Sequence, residues 1–137
     1  MARYEHLQIY RDAYDLTVHV ERIVRNFSRY HKYTLGTDLR NGIRGILELV
    51  IEANGSEERT RLLLDLRHKL ENLKVLCRLC HDSGAFGGGT KSYLYMAKCL
   101  TELARQNEGW LKQSMKKKLK KEEHDFGAVG QSRNREG

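Results

Sequence analysis

The sequence contains no proline among its 137 residues and only three cysteines. Because proline ends or kinks helices and is common in turns, its absence favours long uninterrupted helices over a turn-rich β fold. An odd, small number of cysteines argues against a disulfide framework and is typical of a reducing compartment. A chain of this length can bury the core of one domain without disulfides or a metal. These absences predict an all-α protein with one main domain.

The sequence also lacks any apolar run approaching the roughly 20 residues of a membrane span. Its first segment, MARYEHLQIYRDAYDL, has acidic residues among the apolar ones and no unbroken apolar stretch before a small-residue cleavage site. No signal peptide is therefore expected. We predict a soluble, cytoplasmic protein without a membrane partner.

Acidic residues are too few to balance the basic ones. Lysine and arginine together number 25, against 18 aspartates and glutamates, which gives a formal net charge of +7. Such an excess is typical of proteins that bind phosphates or another polyanion. The same excess is found in basic proteins whose charged faces are merely solvated. The position of the charges along the chain therefore has to distinguish a binding surface from a solvated one.

Apolar residues recur in alternating steps of three and four along four segments, which places them on one stripe of an α-helix. The helices are predicted over about residues 5–30, from Leu39 to Asn54, from Ser56 to the glycine-rich DSGAFGGGT, and from Tyr93 to about residue 115. Short connections between amphipathic helices favour an up-and-down antiparallel four-helix bundle. We predict a bundle domain over residues 1–115 and a basic, disordered tail over 116–137, where the apolar pattern stops.

The segment CRLCH, residues 77–81, contains the C-x-x-C-H string of c-type haem attachment and the C-x-x-C of zinc and redox sites. Cys77 and Cys80 nevertheless continue the apolar stripe that begins at Leu63, so both thiols are predicted to pack in the core as small hydrophobic groups. Zinc would need two further ligands, and no second closely spaced pair is present. No cofactor or metal is predicted, and metal, haem or redox use of this pair is the alternative.

No arrangement of residues indicates catalysis. The stretch GAFGGGTKS, residues 84–92, differs by one inserted residue from a phosphate-binding G-x-x-x-x-G-K-S and follows no predicted strand, so it is predicted to be an interhelical loop. The serines lie at helix ends or in the tail, and the histidines are scattered. The sequence therefore predicts a protein that is not an enzyme.

Basic residues form two ridges that the helical period places opposite the apolar stripes. The first ridge, on the first predicted helix, comprises Arg22, Arg25, Arg29 and Lys32. The second ridge, on the fourth predicted helix, comprises Lys91, Lys98, Arg105 and Lys112 and leads into Lys116, Lys117 and Lys118. The third predicted helix adds Arg67, Lys74 and Arg78 on a flank.

Only Glu102 interrupts the second ridge, and no acidic ridge compensates either one. The pattern predicts nucleic-acid binding by phosphate neutralisation, with little sequence specificity. No aromatic platform for stacking bases is visible in the sequence. The alternatives are solvated faces without a ligand and a structural oligomer whose basic faces contact acidic protein.

The segment YHKYTLGTDLR, residues 30–40, is the most specific part of the sequence. Its residues Tyr33, Thr34, Leu35, Gly36, Leu39 and Arg40 resemble the YTLGxxLR signature of accessory variability determinant (Avd) proteins of diversity-generating retroelements. Gly109 and Trp110 resemble a late glycine-tryptophan feature of the same family. The similarity spans about residues 4–114.

The resemblance implies a non-enzymatic four-helix bundle that assembles into a pentameric barrel with a basic surface. It also implies that the protein partners the reverse transcriptase of the retroelement and binds template RNA or DNA during mutagenic retrohoming. It implies no catalytic residue and no cofactor. The related four-helix proteins of ribosomal-RNA intervening sequences, as a basic structural or RNA-binding scaffold, are the alternative.

Overall fold

The computed structural model describes the backbone of residues 4–136 and the side chains of residues 4–127. A 3-10 turn, Tyr4–His6, precedes five α-helices: α1 (Gln8–Arg25), α2 (Arg29–Lys32), α3 (Leu35–Asn54), α4 (Arg59–Asp82) and α5 (Lys91–Glu136). The described residues include no β-strand. The all-helical fold predicted from the sequence is confirmed.

The four long helices α1, α3, α4 and α5 pack side by side as an antiparallel bundle. α1 contacts α3 and α5, and α4 contacts the same two helices from the opposite side. Early in α1, Asp12 accepts a hydrogen bond at 2.7 Å from Gln106, which lies well along α5. Thr60 at the start of α4 hydrogen-bonds Ser114 of α5 at 2.7 Å. Adjacent long helices therefore run in opposite directions.

The predicted apolar stripes meet in a single core. Side chains no more than 1% exposed come from all four long helices: Leu16, Val20, Leu39, Ile43, Leu63, Leu66, Leu70, Met96, Leu100 and Leu103. Burial of a leucine, isoleucine, valine or methionine side chain stabilises a protein by about 1.5–3 kcal/mol, so these positions carry the bundle. One polar residue, Asn107, is also fully buried, and its Nδ2 donates to the Leu63 carbonyl at 3.1 Å.

The first predicted helix is shorter in the structure than the sequence suggests. α1 ends at Arg25, a turn over residues 26–28 follows, and Arg29–Lys32 forms the separate short helix α2. The chain turns here because Phe27 packs into the end of the bundle, where it is 6% exposed and meets Phe86 edge to face at 5.6 Å. The prediction of one continuous helix over residues 5–30 is therefore wrong.

The last helix is longer than predicted. α5 continues to Glu136, whereas the sequence predicts a frayed end and an irregular tail after about residue 115. Lysine, leucine and glutamate are good helix formers and no proline interrupts them, which accounts for the continuation. Side chains from Met115 to Gly127 are all exposed, so this stretch extends past the bundle. The division into a bundle domain and a tail stays a prediction.

None of the helices in the described part of the chain, α5 included, has an apolar stretch long enough to cross a membrane.

Candidate nucleic-acid interface

Two basic side chains on α1 and two on α2 gather at one end of the bundle. We call Arg22, Arg25, Arg29 and Lys32 the end cluster. The first three are exposed and Lys32 is half-buried. Because the turn at Phe27 separates α1 from α2, they do not form the straight ridge predicted along one helix. They lie instead around a helical corner, with Lys91 exposed at the start of α5 at the same end.

The end cluster has no compensating acid. The chain carries no aspartate or glutamate between Glu21 and Asp38. Among the side chains of residues 4–127, no carboxylate lies within ion-pair distance of any cluster member. Four cations close together without a counterion create a positive potential that attracts anions.

The nearest carboxylate in sequence, Glu21, is held by α3. Its Oε1 accepts a hydrogen bond from Arg40 Nε at 2.9 Å and another from Arg44 Nη2 at 3.0 Å. The hydrogen bond from Arg40 is the main reason that the pKa of Glu21 lies below its ordinary value, although partial burial opposes it. Glu21 makes no ion pair with Arg25, which lies one helical turn away on α1. Arg25 thus keeps its charge uncompensated.

The cations on the flank of α4 are paired. Arg67 makes two hydrogen bonds to the Glu108 carboxylate of α5, at 2.7 and 2.8 Å. Lys74 lies 3.2 Å from Glu71, and Arg78 lies 3.0 Å from Asp82. Exposed pairs of this kind add little stability, but each cancels a positive charge. The flank predicted to bind phosphates is therefore largely neutralised.

The second ridge is interrupted more than the sequence suggests. Arg105 pairs with Glu102, at 3.0 Å between Nε and Oε2, so Glu102 is not the partner of Lys98. Lys98 borders a groove between α1 and α5 that also contains Asp12 and Asp15. Acidic residues of α1, far away in sequence, thus balance the middle of this ridge.

The lysines that follow the ridge lie at the opposite end of the bundle from the end cluster. Lys112 and Lys116 are exposed, and Lys117 and Lys118 line a cleft whose other wall includes Glu57 and Glu58. A helix rises about 1.5 Å per residue, so Lys91 and Lys112 are about 30 Å apart along α5. The two basic regions are therefore separate surfaces.

The signature residues join α1 to α3. Gly36 is buried, and a Cβ there would lie 2.7 Å from Val24 Cγ1 and 3.3 Å from the Phe27 ring. Leu39 is 0% exposed and Arg40 holds Glu21. The absence of a side chain at position 36 lets the two helices approach closely.

The other signature residues have smaller structural roles. Thr34 Oγ1 donates to the Tyr30 carbonyl at 3.1 Å, and Leu35 packs half-buried against the core. Trp110 is half-buried, with the Arg59 guanidinium 5.6 Å from its ring centroid. Gly109 is exposed, and a Cβ there would meet nothing within 4 Å.

Two exposed tyrosines beside the end cluster were missed by sequence reasoning. Tyr30 is 81% exposed and Tyr33 is 71% exposed. The signal was present in RYHKY, where aromatic and basic residues alternate, but the sequence predicts a helix there that ends near Tyr30. Only the corner at Phe27 shows that these rings point away from the core.

The prediction that Cys77 and Cys80 pack in the core is confirmed. Their exposures are 1% and 0%, and Cys77 Sγ lies 4.0 Å from Met96 Sδ. Burial raises the pKa of Cys77 to about 11 and that of Cys80 to about 12. Both thiols are thus protonated and unreactive at neutral pH. No three metal-ligating side chains cluster within the described residues.

The fold and surface define a small helical bundle with an uncompensated basic cluster at one end. A family model described as bAvd-like matches residues 7–114, most of the 137-residue chain, and the chain belongs to this family. It is accordingly an Avd-type accessory protein. Comparison with curated proteins and with solved structures gave no match. The relation to proteins of ribosomal-RNA intervening sequences stays a prediction.

Proposed function

We propose that this accessory protein binds the template RNA or DNA of a diversity-generating retroelement, together with the element's reverse transcriptase, and so supports mutagenic cDNA synthesis and retrohoming in the cytoplasm. The observation that carries the proposal is the end cluster: four neighbouring cations without a carboxylate partner among the described side chains. Membership of the bAvd-like family supports it independently.

Binding works here by phosphate neutralisation. Each phosphate paired with an arginine or lysine releases condensed counterions, so affinity falls steeply as salt rises. Arg22, Arg25 and Arg29 are exposed and free to reach phosphates, whereas Arg67 and Arg78 would first have to leave their carboxylate partners. The end cluster therefore contributes more binding free energy per cation. The protein contributes position and charge, and the chemistry of copying belongs to the polymerase.

A homo-oligomeric ring, a pentamer by family resemblance, would repeat the end cluster around its axis. Repetition raises the effective concentration of each site for a bound strand, which strengthens binding without new contacts. Sedimentation analysis would measure the number of subunits. A monomer at working concentration would contradict this part of the proposal.

The decisive experiment compares two variants with the same net charge. One carries Arg22→Gln, Arg25→Gln and Arg29→Gln, and the control carries Arg67→Gln, Arg78→Gln and Arg105→Gln. Fluorescence anisotropy with labelled RNA and DNA at several salt concentrations gives affinity and its salt dependence, and circular dichroism checks the fold.

We expect the first variant to lose about 10-fold or more in affinity and to flatten the slope of log K against log salt by about 2. The control should lose less, because its cations are already paired. Equal losses in both variants would show that net charge alone matters, and the end cluster would not be the interface.

The reverse-transcriptase partnership is tested separately. The proposal predicts a reverse-transcriptase gene and a pair of near-identical repeats beside this gene, and the encoded polymerase should co-purify with the protein. A polymerase that does not co-purify, together with nucleic-acid binding, would favour the RNA-binding scaffold. Absence of any mobility shift at physiological salt would favour the structural oligomer that contacts acidic protein.

A further inference from the structure

Tyr30 and Tyr33 are the two most exposed of the seven tyrosines, and the other five all contact an aromatic or imidazole ring. Tyr10 contacts Tyr4 and Tyr14 at centroid distances of 5.0 and 6.0 Å. Tyr95 meets the ring of His19 at 4.4 Å, and Tyr93 stacks on His81 at 4.4 Å. Each of these five rings therefore has a ring partner within the fold, and Tyr14 and Tyr95 are still about half exposed.

The remaining two tyrosines contribute little to the folded chain. Tyr30 has one edge contact, with His31 at 5.0 Å, and Tyr33 has no ring partner within the described residues. Their exposures of 81% and 71% leave most of each ring in water. Two large exposed rings, three residues apart in the chain, are thus available to a ligand.

The two rings stand on one helical turn. Residues three apart lie on the same side of a helix. Tyr30 is the second residue of α2, and Tyr33 follows the last residue of α2 as its C-cap. Thr34 Oγ1 bonds the carbonyls of Tyr30 and His31, at 3.1 and 3.3 Å, and so fixes the end of the turn. Close packing of Gly36 on Val24 anchors the chain that follows. The backbone that carries the rings is thus well held.

Along the chain, the charged residues nearest to the two rings are all positive. Arg29 precedes Tyr30, Lys32 lies between the two tyrosines, and Arg25 ends the preceding helix. The nearest acid upstream, Glu21, is held by Arg40 and Arg44. Exposed aromatic rings interleaved with unpaired cations are what a single-stranded nucleic acid requires, because its bases stack while its phosphates are neutralised.

We propose that Tyr30 and Tyr33 form a stacking platform for unpaired bases, so that this end of the bundle binds single-stranded RNA or DNA in preference to duplex. The proposal rests on the proposed nucleic-acid function and adds the class of ligand and the residues that select it. A duplex hides its base faces in its own stack and offers only phosphates to the end cluster. An unpaired stretch offers both.

A protein partner is the competing occupant, since tyrosine and arginine are also enriched at protein interfaces. That partner would have to be strongly acidic to face a segment with no aspartate or glutamate from residue 22 to residue 37. A polyphosphate chain satisfies this charge along its whole length, and each of its bases has a face that a tyrosine ring can cover. The charge pattern therefore favours nucleic acid.

The test uses the full chain with Tyr30→Ala and Tyr33→Ala combined, the conservative pair Tyr30→Phe and Tyr33→Phe, and the control Phe126→Ala. Phe126 is 82% exposed on the far extension of α5, so it matches the tyrosines in exposure but not in position. Three labelled ligands of equal length are titrated by anisotropy: a polyuridine strand, a strand with abasic sites throughout, and a duplex.

We expect the alanine pair to lose about 10- to 100-fold in affinity for polyuridine and little for the abasic strand or the duplex. The phenylalanine pair should bind polyuridine like the native chain, because the ring and not the hydroxyl stacks. The control should bind all three ligands normally.

An unchanged affinity for polyuridine, or an equal loss on all three ligands, would overturn the platform, while the arginine-to-glutamine comparison would still decide the proposed function. If the alanine pair keeps nucleic-acid affinity and loses the reverse transcriptase, the tyrosines are a protein contact and the platform is wrong. If the native chain binds none of the three ligands, both proposals fail.

Discussion

Arg40 on α3 and Glu21 on α1 form an ion pair across the bundle, with Nε and Oε1 2.9 Å apart. Arg44 reaches the same oxygen at 3.0 Å. These contacts link the signature segment to α1, and they also occupy the first carboxylate upstream of Arg22 in the sequence. One ion pair thus affects both the fold and the charge available to a ligand.

Replacing Glu21 by glutamine should destabilise the bundle by about 0.5–1 kcal/mol, because the pair is partly exposed. The pKa of Glu21 is lowered in the folded state by Arg40, so its contribution is present above the ordinary glutamate value of 4.5 and is lost as pH falls through the folded pKa. Urea unfolding of both proteins, at neutral pH and again well below that value, measures the difference. If the difference in the free energy of unfolding between the two proteins persists in acid, the ion-pair explanation is contradicted.

Gly36→Ala should destabilise the protein by about 1–3 kcal/mol, since the added Cβ would meet Val24 Cγ1 at 2.7 Å and force α1 away from α3. Gly109→Ala is the matched control, because it lies exposed within α5 with nothing within 4 Å. Alanine is favoured over glycine inside a helix, so this second change should stabilise by up to about 1 kcal/mol. Thermal unfolding shows whether each variant is more or less stable than the native protein. If both substitutions destabilise it, Gly109 packs against something outside this chain.

The buried cysteines should react slowly with a thiol reagent in the native protein. Burial raises the pKa of Cys77 to about 11 and of Cys80 to about 12, whereas Cys99 is half-buried at the surface. Native labelling should modify Cys99 first, and all three should react in urea. The variant with Cys77→Ala and Cys80→Ala should lose about 1–3 kcal/mol of stability and keep nucleic-acid affinity. Release of zinc, iron or haem from the native protein would overturn the core assignment.

Asn107→Asp should be strongly destabilising, by about 3 kcal/mol or more at neutral pH, because it places an unpaired charge in the core. Asn107 is fully buried, and its Oδ1 has no hydrogen-bond partner among the described residues. Burial would raise the folded pKa of the new carboxyl, so the destabilisation should shrink as pH falls from that raised pKa towards about 4 and should level off below it, where the unfolded side chain is also neutral.

Asn107→Leu is the control for that prediction. It removes the buried oxygen that lacks a partner and adds apolar contacts near Leu63, and a helix carbonyl such as that of Leu63 still accepts its own backbone bond. We expect a change within about 1.5 kcal/mol. If the leucine variant is as unstable as the aspartate variant, loss of shape and not buried charge is the cause.

The sequence by itself determined the helical class and the inward faces of the long helices. Leu63, Leu66 and Leu70 face inward because an α-helix repeats every 3.6 residues, and that rule depends only on neighbours along the chain. The same rule placed Cys77 and Cys80 correctly in the core. It failed at Phe27, where burial against Phe86, far away in sequence, turned the chain.

Charge compensation was decided by the tertiary structure. The helical period of the sequence predicted that Arg67 and Arg25 would be exposed. It could not predict that Arg67 pairs with Glu108, 41 residues away. Nor could it predict that Glu21 pairs with Arg40, 19 residues away. Ion pairs between helices depend on how the helices pack against one another. The spacing of residues along one helix carries no information about that packing. Packing thereby left the cations of the end cluster unpaired, and the turn at Phe27 left Tyr30 and Tyr33 open beside them.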